Sequence, residues 1–479
     1  MKTVFISINS KYIHTLLSAR YLAVNSVEPV LIYETNINVP LSDTLTEMFI
    51  RKPDVIAIST YIFNIEYVRS FLCEIKNFLP EVKIILGGYE VSCDEKKYLS
   101  YADYIMKGEG DFEFGKLITS IKNGDNIYGK IINCGEIKNL DGIKSPYTEE
   151  YCRLGQQKIL YYESSRGCPF RCAYCMSSNS DGVRSFSFDR IKSDLFFIMK
   201  YNPKQIKFVD RTFNYDMKRA AAIFRFITDN FGQSNTNFHF EVEPELFSDE
   251  MYGEIEKAKK GLFQFEAGVQ SYNNTALKAV NRKENAEILE RNIKRLIKIG
   301  NSHVHVDLIA GLPEENYDSF VSGFNRLFDI KPHCLQLGFL KILKGSEMSE
   351  KTEGYKFYNK PPYEIISTPV LSYGDVVKLK TAEEMLELYY NSGRFFYSVN
   401  YILPEFYEPY RFFYELGLYV KNIGQTVRSL SAYAQCDALF NFAINVIKVV
   451  GFKENLENLI ASDYKASGNA RKWSVKNNG

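Results

Sequence analysis

Cys168, Cys172 and Cys175 stand in the run SSRGCPFRCAYCMSS with the spacing C-x3-C-x2-C. Cysteine thiolates hold iron–sulfur clusters, usually four for a four-iron cluster. Three ligands close together leave one iron without a protein ligand, and an open iron takes a substrate or cofactor. Gly167 and Pro169 shape a loop able to wrap a cluster, and Tyr174 is placed to cover its open side. A structural zinc site wants four Cys or His ligands in a closed tetrahedron, and no fourth ligand lies nearby in sequence. A disulfide with a spare thiol, which needs an oxidising compartment, and three unrelated buried thiols are the other readings.

The elements that would position this loop alternate. Apolar runs at 4–8, 30–33, 55–59, 82–86 and 104–106 read as strands, with a helical face formed by Ile65, Val68, Phe71, Leu72, Ile75, Phe78 and Leu79 between the third and fourth. Strand–helix alternation predicts a doubly wound parallel sheet, Rossmann- or flavodoxin-like, over residues 1–140. Ligands bind such sheets at the carboxyl ends of the strands. Those ends carry Asn9-Ser10, Ser59-Thr60, Gly87-Gly88 and Gly108-Glu109-Gly110, where glycines admit a large planar cofactor. A second alternating series, with strands at 160–164, 205–209, 237–242, 262–269, 303–310 and 333–340, predicts a partial (β/α)6 TIM-like barrel over 151–345. The cysteine loop directly follows its first strand. A Tyr-, Pro- and Lys-rich stretch, 346–373, reads as a linker or cover, and helical patterns at 376–390 and 429–450 dominate 374–479. The last residues, with Arg471, Lys472 and Lys476, read as a frayed basic end.

The bulk numbers bound the function. The 479 residues suffice for about three domains. A net charge of +1 gives no electrostatic case for nucleic acid. Nine cysteines is an odd count, so a disulfide framework is not expected. No run is long and apolar enough to span a membrane, and the N-terminus lacks the pattern of a signal peptide. The expectation is a soluble cytoplasmic protein in a reducing compartment.

The cysteine run resembles the cluster motif of the radical S-adenosylmethionine (SAM) superfamily, and its position after the first barrel strand suits that family. The resemblance implies a [4Fe-4S] cluster whose open iron chelates SAM and reduces it to a 5′-deoxyadenosyl radical. It also implies oxygen sensitivity. The other strand ends then become SAM-side candidates: Asp210 and Arg211 in FVDRTFN, Glu241 and Glu243 in FHFEVEPELF, and Glu266, Gln270 and Ser271 in EAGVQS. The last of these resembles the GVQS run of the group that includes oxygen-independent coproporphyrinogen dehydrogenases. Asp307 and Gly311 lie in VDLIAGLPEE, similar to the family's adenine-side motif, and Leu343 in LGFLKILKGSEM, similar to its closing strand, with Lys344 where proline is common.

LGGYEVS at 86–92, YADYIMKGEGDFEFGKLI at 101–118 and the opening NSKYIHTLLSARYLA at 9–23 resemble the cobalamin-binding domains that precede radical SAM domains. This implies cobalamin contacts from Ser59, Thr60, Gly87, Gly88, Glu90, Gly108, Glu109 and Gly110. The Asp-x-His-x-x-Gly signature, whose histidine coordinates cobalt in some mutases, is absent; His14 is the histidine nearest the first strand's end. The resemblance spans about residues 1–345, and the C-terminal part looks like a helical extension of uncharacterised function, expected to set specificity or close the barrel mouth.

Together these imply a cobalamin-binding radical SAM methyltransferase acting on an unactivated carbon. The partners expected are a small-molecule or peptide substrate and a reductant such as flavodoxin or ferredoxin. Another radical reaction without methyl transfer, or a non-catalytic corrinoid or cluster carrier or sensor, are the alternatives. A radical methylthiotransferase would need three further cluster cysteines. Cys73, Cys93 and Cys134 are the candidates, and all read as inert, Cys73 on the apolar side of its helix.

Overall fold

The structure is a computed structural model that describes residues 1–127, 129–469 and 472–475. Arg471 and Lys476 of the basic end lie outside the described residues.

The N-terminal sheet is wholly parallel and has six strands: β1 (Thr3–Asn9), β2 (Val30–Asn36), β3 (Val55–Ser59), β4 (Lys83–Gly87), β5 (Tyr104–Gly108) and β6 (Ile131–Gly135), in the order β2-β1-β3-β4-β5-β6. Both faces are buried. Val4, Ile6 and Ile8 of β1 face the helices at 41–51 and 65–78, while Phe5 between them faces those at 17–25 and 113–123. Two-sided burial explains why the strands read as continuous apolar runs. The sixth strand, IINCG, escaped the sequence reading because it is half-exposed at the sheet edge. In the helix Ile65–Phe78, Ile65, Val68, Phe71, Leu72 and Ile75 are buried, but Phe78 and Cys73 are exposed. Cys73 is therefore not on the apolar side.

The second sheet curls as six parallel strands in the order β14-β13-β12-β11-β10-β7: β7 (Leu160–Tyr162), β10 (Gln205–Phe208), β11 (Asn237–Val242), β12 (Phe263–Gln270), β13 (His303–Ala310) and β14 (Cys334–Phe339). Its outward side chains, among them Phe208, Phe240, Phe263 and Phe265, form an aromatic core with Phe224 of the helix Met217–Phe231. The alternate side chains are polar: Lys207, His239, Glu241, Glu266, His305 and Asp307. Parallel barrels usually fill this space with branched apolar residues.

A short antiparallel hairpin, β8 (Ser165–Gly167) with β9 (Val183–Ser185), brackets the cysteine loop. The first barrel strand, expected at 160–164, ends at Tyr162, and this hairpin begins at Ser165. The stretch expected to be a linker or cover forms a hairpin, β15 (Lys356–Phe357) with β16 (Ile365–Ser367). It continues the edge of the barrel: Ile365 N–H donates to the Leu340 carbonyl at 3.0 Å and Ile342 N–H to that of Tyr363 at 2.9 Å.

The C-terminal helices pack against the outside of the barrel. Phe413, on the helix Pro409–Asn422, meets Phe324 and Phe328 of the helix Tyr317–Phe328. Asn391, ending a π-helical turn Leu386–Asn391, exchanges two 2.9 Å hydrogen bonds with the Leu335 backbone. This satisfies the open edge of β14, which would otherwise present unpaired backbone groups. The chain end is not frayed throughout. Trp473 is buried on Phe440, and its indole N–H donates to Asp437 at 2.8 Å. Among the described residues, no helix is long and apolar enough to cross a membrane.

Candidate functional site: a cysteine loop facing an interdomain cavity

The carboxyl ends of the two sheets face each other across a cavity of about 730 Å³. From the N-terminal sheet, Ser59, Gly87, Gly88, Gly108 and Gly110 line it; from the other side come Tyr161, Arg211 and, beyond the last cysteine, Met176, Ser177, Asn179 and Ser180. Two glycines make the floor possible. A Cβ on Gly88, at φ +91°, would lie 2.4 Å from the Thr60 carbonyl oxygen, and one on Gly108, at φ +89°, 2.8 Å from that of Gly135. At these strand ends the floor is bare backbone, which lets a broad flat cofactor approach closely, while Tyr61, Phe63 and Tyr89 line the cavity beside it.

The cysteine loop forms the opposite wall. Gly167 starts it at φ +94°, where a Cβ would fall 1.9 Å from the Gly182 carbonyl oxygen. The Cys168 N–H donates to Ser180 Oγ at 3.2 Å and the Cys175 N–H to the Cys172 carbonyl at 3.0 Å. Ala173 ties the loop to the barrel through Val280 and Met348. None of the three cysteines is in a disulfide. Burial pushes the Cys172 thiol up, and Arg282 beside it pulls the other way. A three-thiol loop with a buried guanidinium at its back fits an anionic iron–sulfur cluster held on three sides.

Arg211 opens onto the cavity and makes no hydrogen bond or ion pair among the described residues. Burial pulls its guanidinium down, and Glu241 beside it acts the other way, so that it is held above its usual value. A free guanidinium beside the cysteine loop is suited to a carboxylate ligand. Burial raises Glu241 to about 7, against the pull of Arg211 and Lys207. Gln270 adopts φ +65° at a bulge after Gly268, and its Oε1 is buried without a partner. Such strain in a non-glycine residue is a mark of functional sites. Tyr174 is half-buried, its hydroxyl 3.4 Å from Arg282 Nη1.

Other residues singled out from the sequence are committed elsewhere. Asp210 is buried and accepts from Ser164 Oγ and Ser165 Oγ, each at 2.5 Å. Ser271 donates to Glu315 at 2.5 Å. Gly311 leaves room for Ile365, and the Leu343 carbonyl accepts twice from Ser346. Thr60 donates to the Gly87 carbonyl at 2.7 Å rather than lining the cavity. Glu90 accepts from the Tyr363 hydroxyl at 2.8 Å and joins the N-terminal domain to the β15–β16 hairpin. The Glu109 carboxylate is held by Arg184 at 2.6 Å and Arg166 at 3.3 Å. His14 lines the cavity, with Nδ1 2.7 Å from the Tyr161 hydroxyl. Cys93 sits at the domain seam and donates to the Lys344 carbonyl at 3.3 Å.

Asp307 belongs to a charged belt inside the barrel. Lys207 lies 2.9 Å and His239 3.0 Å from Glu266, and His305 lies 3.0 Å from Asp307. Burial alone would lower His305, but Asp307 and Cys334 bring it up to about 10. Ligand atoms of Glu266, His305 and Asp307 fall within 4.8 Å of one another. Lys207, 2.9 Å from Glu266, supplies positive charge beside this trio.

Three arginines escaped the sequence reading: Arg166, Arg184 and Arg282. Each has a partner far along the chain, as with Arg184 and Glu109, 75 residues apart, and the near pairs Glu163–Arg166 and Arg282–Glu284 give no hint of those distant contacts.

Three family models match successive parts of the chain: the B12 binding domain over residues 3–118, the Radical SAM superfamily over 162–326, and a protein family of unknown function, DUF4080, over 352–476. The cobalamin-dependent radical SAM methyltransferase TokK of Streptomyces tokunonensis is 22% identical over 351 residues, 66% of this chain and 51% of that protein. The 2-(S-pantetheinyl)-carbapenam-3-carboxylate methyltransferase of Streptantibioticus cattleyicolor is 22% identical over 375 residues, 69% of this chain and 53% of its own. The chain thus spans about half the length of these curated relatives. In fold it is similar to the radical SAM methyltransferase TsrM of Kitasatospora setae, solved with cobalamin and a [4Fe-4S] cluster (TM-score 0.65, 13% identity, 86% of this chain and 98% of that one). It is also similar to the cobalamin-dependent SAM radical enzyme OxsB, solved with aqua-cobalamin and SAM (TM-score 0.64, 14% identity, 98% and 79%). The chain is a radical SAM superfamily protein with an N-terminal B12-binding domain and a C-terminal DUF4080 region.

Proposed function

We propose that the chain is a cobalamin-dependent radical SAM methyltransferase that methylates an unactivated carbon of an organic substrate. The observation that carries this reading is the shared cavity: the cysteine loop and the glycine floor are opposite walls of one space. The relative TokK is named a cobalamin-dependent radical SAM methyltransferase, and the carbapenam relative a methyltransferase.

Cys168, Cys172 and Cys175 would hold the cluster, and Arg211 would pair with the SAM carboxylate. The glycines at the ends of β4 and β5 would seat the corrin ring. When bound, these groups supply reductive SAM cleavage, hydrogen abstraction and a transferable methyl. The protein's own work is orientation. The glycines at the strand ends leave bare backbone for a planar ring to approach, and the arginine-held wall fixes the cysteine loop opposite them. Glu241, brought near neutrality by burial, would accept or share a proton with a polar group of SAM or substrate.

Nine cysteines, none in a disulfide, support a reducing, cytoplasmic setting. A flavodoxin- or ferredoxin-type protein would be the electron source. The test needs no substrate. Chain reconstituted anaerobically with a cluster and hydroxocobalamin receives a strong reductant and SAM with a labelled methyl group. The reading expects 5′-deoxyadenosine and labelled methylcobalamin. Deoxyadenosine with no labelled methylcobalamin would contradict methyl transfer.

A further inference from the structure

We propose that Arg166 and Arg184 are positioning residues that couple the two cofactor sites, so that the cluster-loaded cysteine loop raises the affinity of the cavity for cobalamin. The inference rests on the reading of this cavity as the cobalamin site.

The two arginines stand directly opposite each other on the hairpin that brackets the cysteine loop, Arg166 on β8 and Arg184 on β9. Like charges facing across an antiparallel pair destabilise it. Here the N-terminal domain supplies the balance. Glu109 bridges both, with Oε2 2.9 Å from Arg184 Nη1 and 3.3 Å from Arg166 Nη1. Asp111 takes Arg166 in a two-point contact at 2.9 and 3.0 Å, and Glu163 holds its Nε at 3.0 Å. Arg184 also donates to the Ile137 carbonyl at 2.6 Å, and Glu109 accepts the Ile137 N–H at 2.8 Å. The side chains of Arg166 and Asp111 are only 12% and 7% exposed, so salt in solution screens this pair little.

Much of the charge that balances the two arginines thus comes from Glu109 and Asp111, in the segment from Gly108 to Asp111 that forms part of the cavity floor. The link runs the other way too. Gly167, Met176, Ser177, Asn179 and Ser180 belong to or adjoin the cysteine loop, and all line the cavity. Ser180 Oγ accepts the Cys168 N–H. Holding the three cysteines on a cluster thus orders one cavity wall, and the arginine cage fixes that wall to the floor. Two sites joined by such an element are linked reciprocally.

The experiment is an anaerobic titration of hydroxocobalamin, followed by absorbance, into the full chain with and without its reconstituted cluster. Cluster-loaded wild type is expected to bind on the order of ten-fold tighter than cluster-free chain. In Arg184→Met that ratio should fall toward one while iron content stays near wild type. Exchanging the charges, Glu109→Arg with Arg184→Glu, should restore part of the ratio, which a loss of fold would not. Equal affinity with and without the cluster in wild type would overturn the coupling. So would an undiminished ratio in Arg184→Met. No binding in either state would instead overturn the cobalamin reading, and this inference with it.

Discussion

The cavity floor and the barrel lumen are both built at strand ends of parallel sheets, yet from opposite materials. The floor centres on glycine, serine and bare backbone at the strand ends, and its carboxylates Glu109 and Asp111 are held by Arg184 and Arg166. The lumen carries ionisable side chains on four neighbouring strands: Lys207, His239, Glu241, Glu266, His305 and Asp307. Glycine positions packed this closely select by shape and tolerate little added volume. A belt of paired charges selects by electrostatics, and removing one member leaves its partner buried and uncompensated. Substitutions in the two regions should therefore fail in different ways.

The largest effect lies between them. Cys168→Ala should abolish cluster retention and SAM cleavage together, read by iron content and 5′-deoxyadenosine, because two thiolates do not hold a four-iron cluster. Next is the floor. Gly88→Ala forces a Cβ to within 2.4 Å of the Thr60 carbonyl oxygen at φ +91°, which should cost about 3 kcal/mol of stability and abolish hydroxocobalamin binding. Undiminished cobalamin affinity in this variant would remove shape as the floor's principle.

At the mouth of the lumen, Arg211→Gln should leave iron unchanged and raise the KM for SAM by roughly thirty-fold, the loss of about 2 kcal/mol of charge-assisted hydrogen bonding. Within the belt, Lys207→Met strips the ammonium 2.9 Å from Glu266. Both groups keep some exposure, so the expected loss is about 1.5 kcal/mol in urea unfolding, with hydroxocobalamin affinity untouched. The smallest effect concerns Glu315, which burial raises to about 7 although Ser271 pulls it down. A carboxyl raised in the fold stabilises while protonated; that contribution is complete below about 4.5 and is lost as pH rises through 7. Glu315→Gln keeps the bond from Ser271 and cannot ionise. Its Tm should match wild type at pH 5 and exceed it by about 2 °C at pH 8, by differential scanning fluorimetry.

Sequence reading reached what is local and stopped at what is distant. The cysteine loop was legible because its ligands lie within one turn of chain, and the two parallel sheets because burial on both faces writes itself as apolar runs. Strand-end positions were legible too, but not their partners. Asp210 and Ser271 read as ligand contacts, and nothing in the sequence signalled the hydrogen bonds they make with Ser164, Ser165 and Glu315. The β8–β9 hairpin was hidden because its strands are three residues each and flank a loop that dominates the motif. The buried Trp473 in a basic, apolar-poor tail is a tertiary override, set by Asp437 and Phe440 on a helix about 30 residues earlier.

The most direct test of the account is metal stoichiometry in one sample. The chain is reconstituted anaerobically with iron, sulfide and hydroxocobalamin, desalted, and assayed for iron and cobalt, with Cys168→Ala alongside. The account predicts about four irons and about one cobalt per chain in wild type, with iron lost in the variant. Wild type without iron, or Cys168→Ala with full iron, would contradict it.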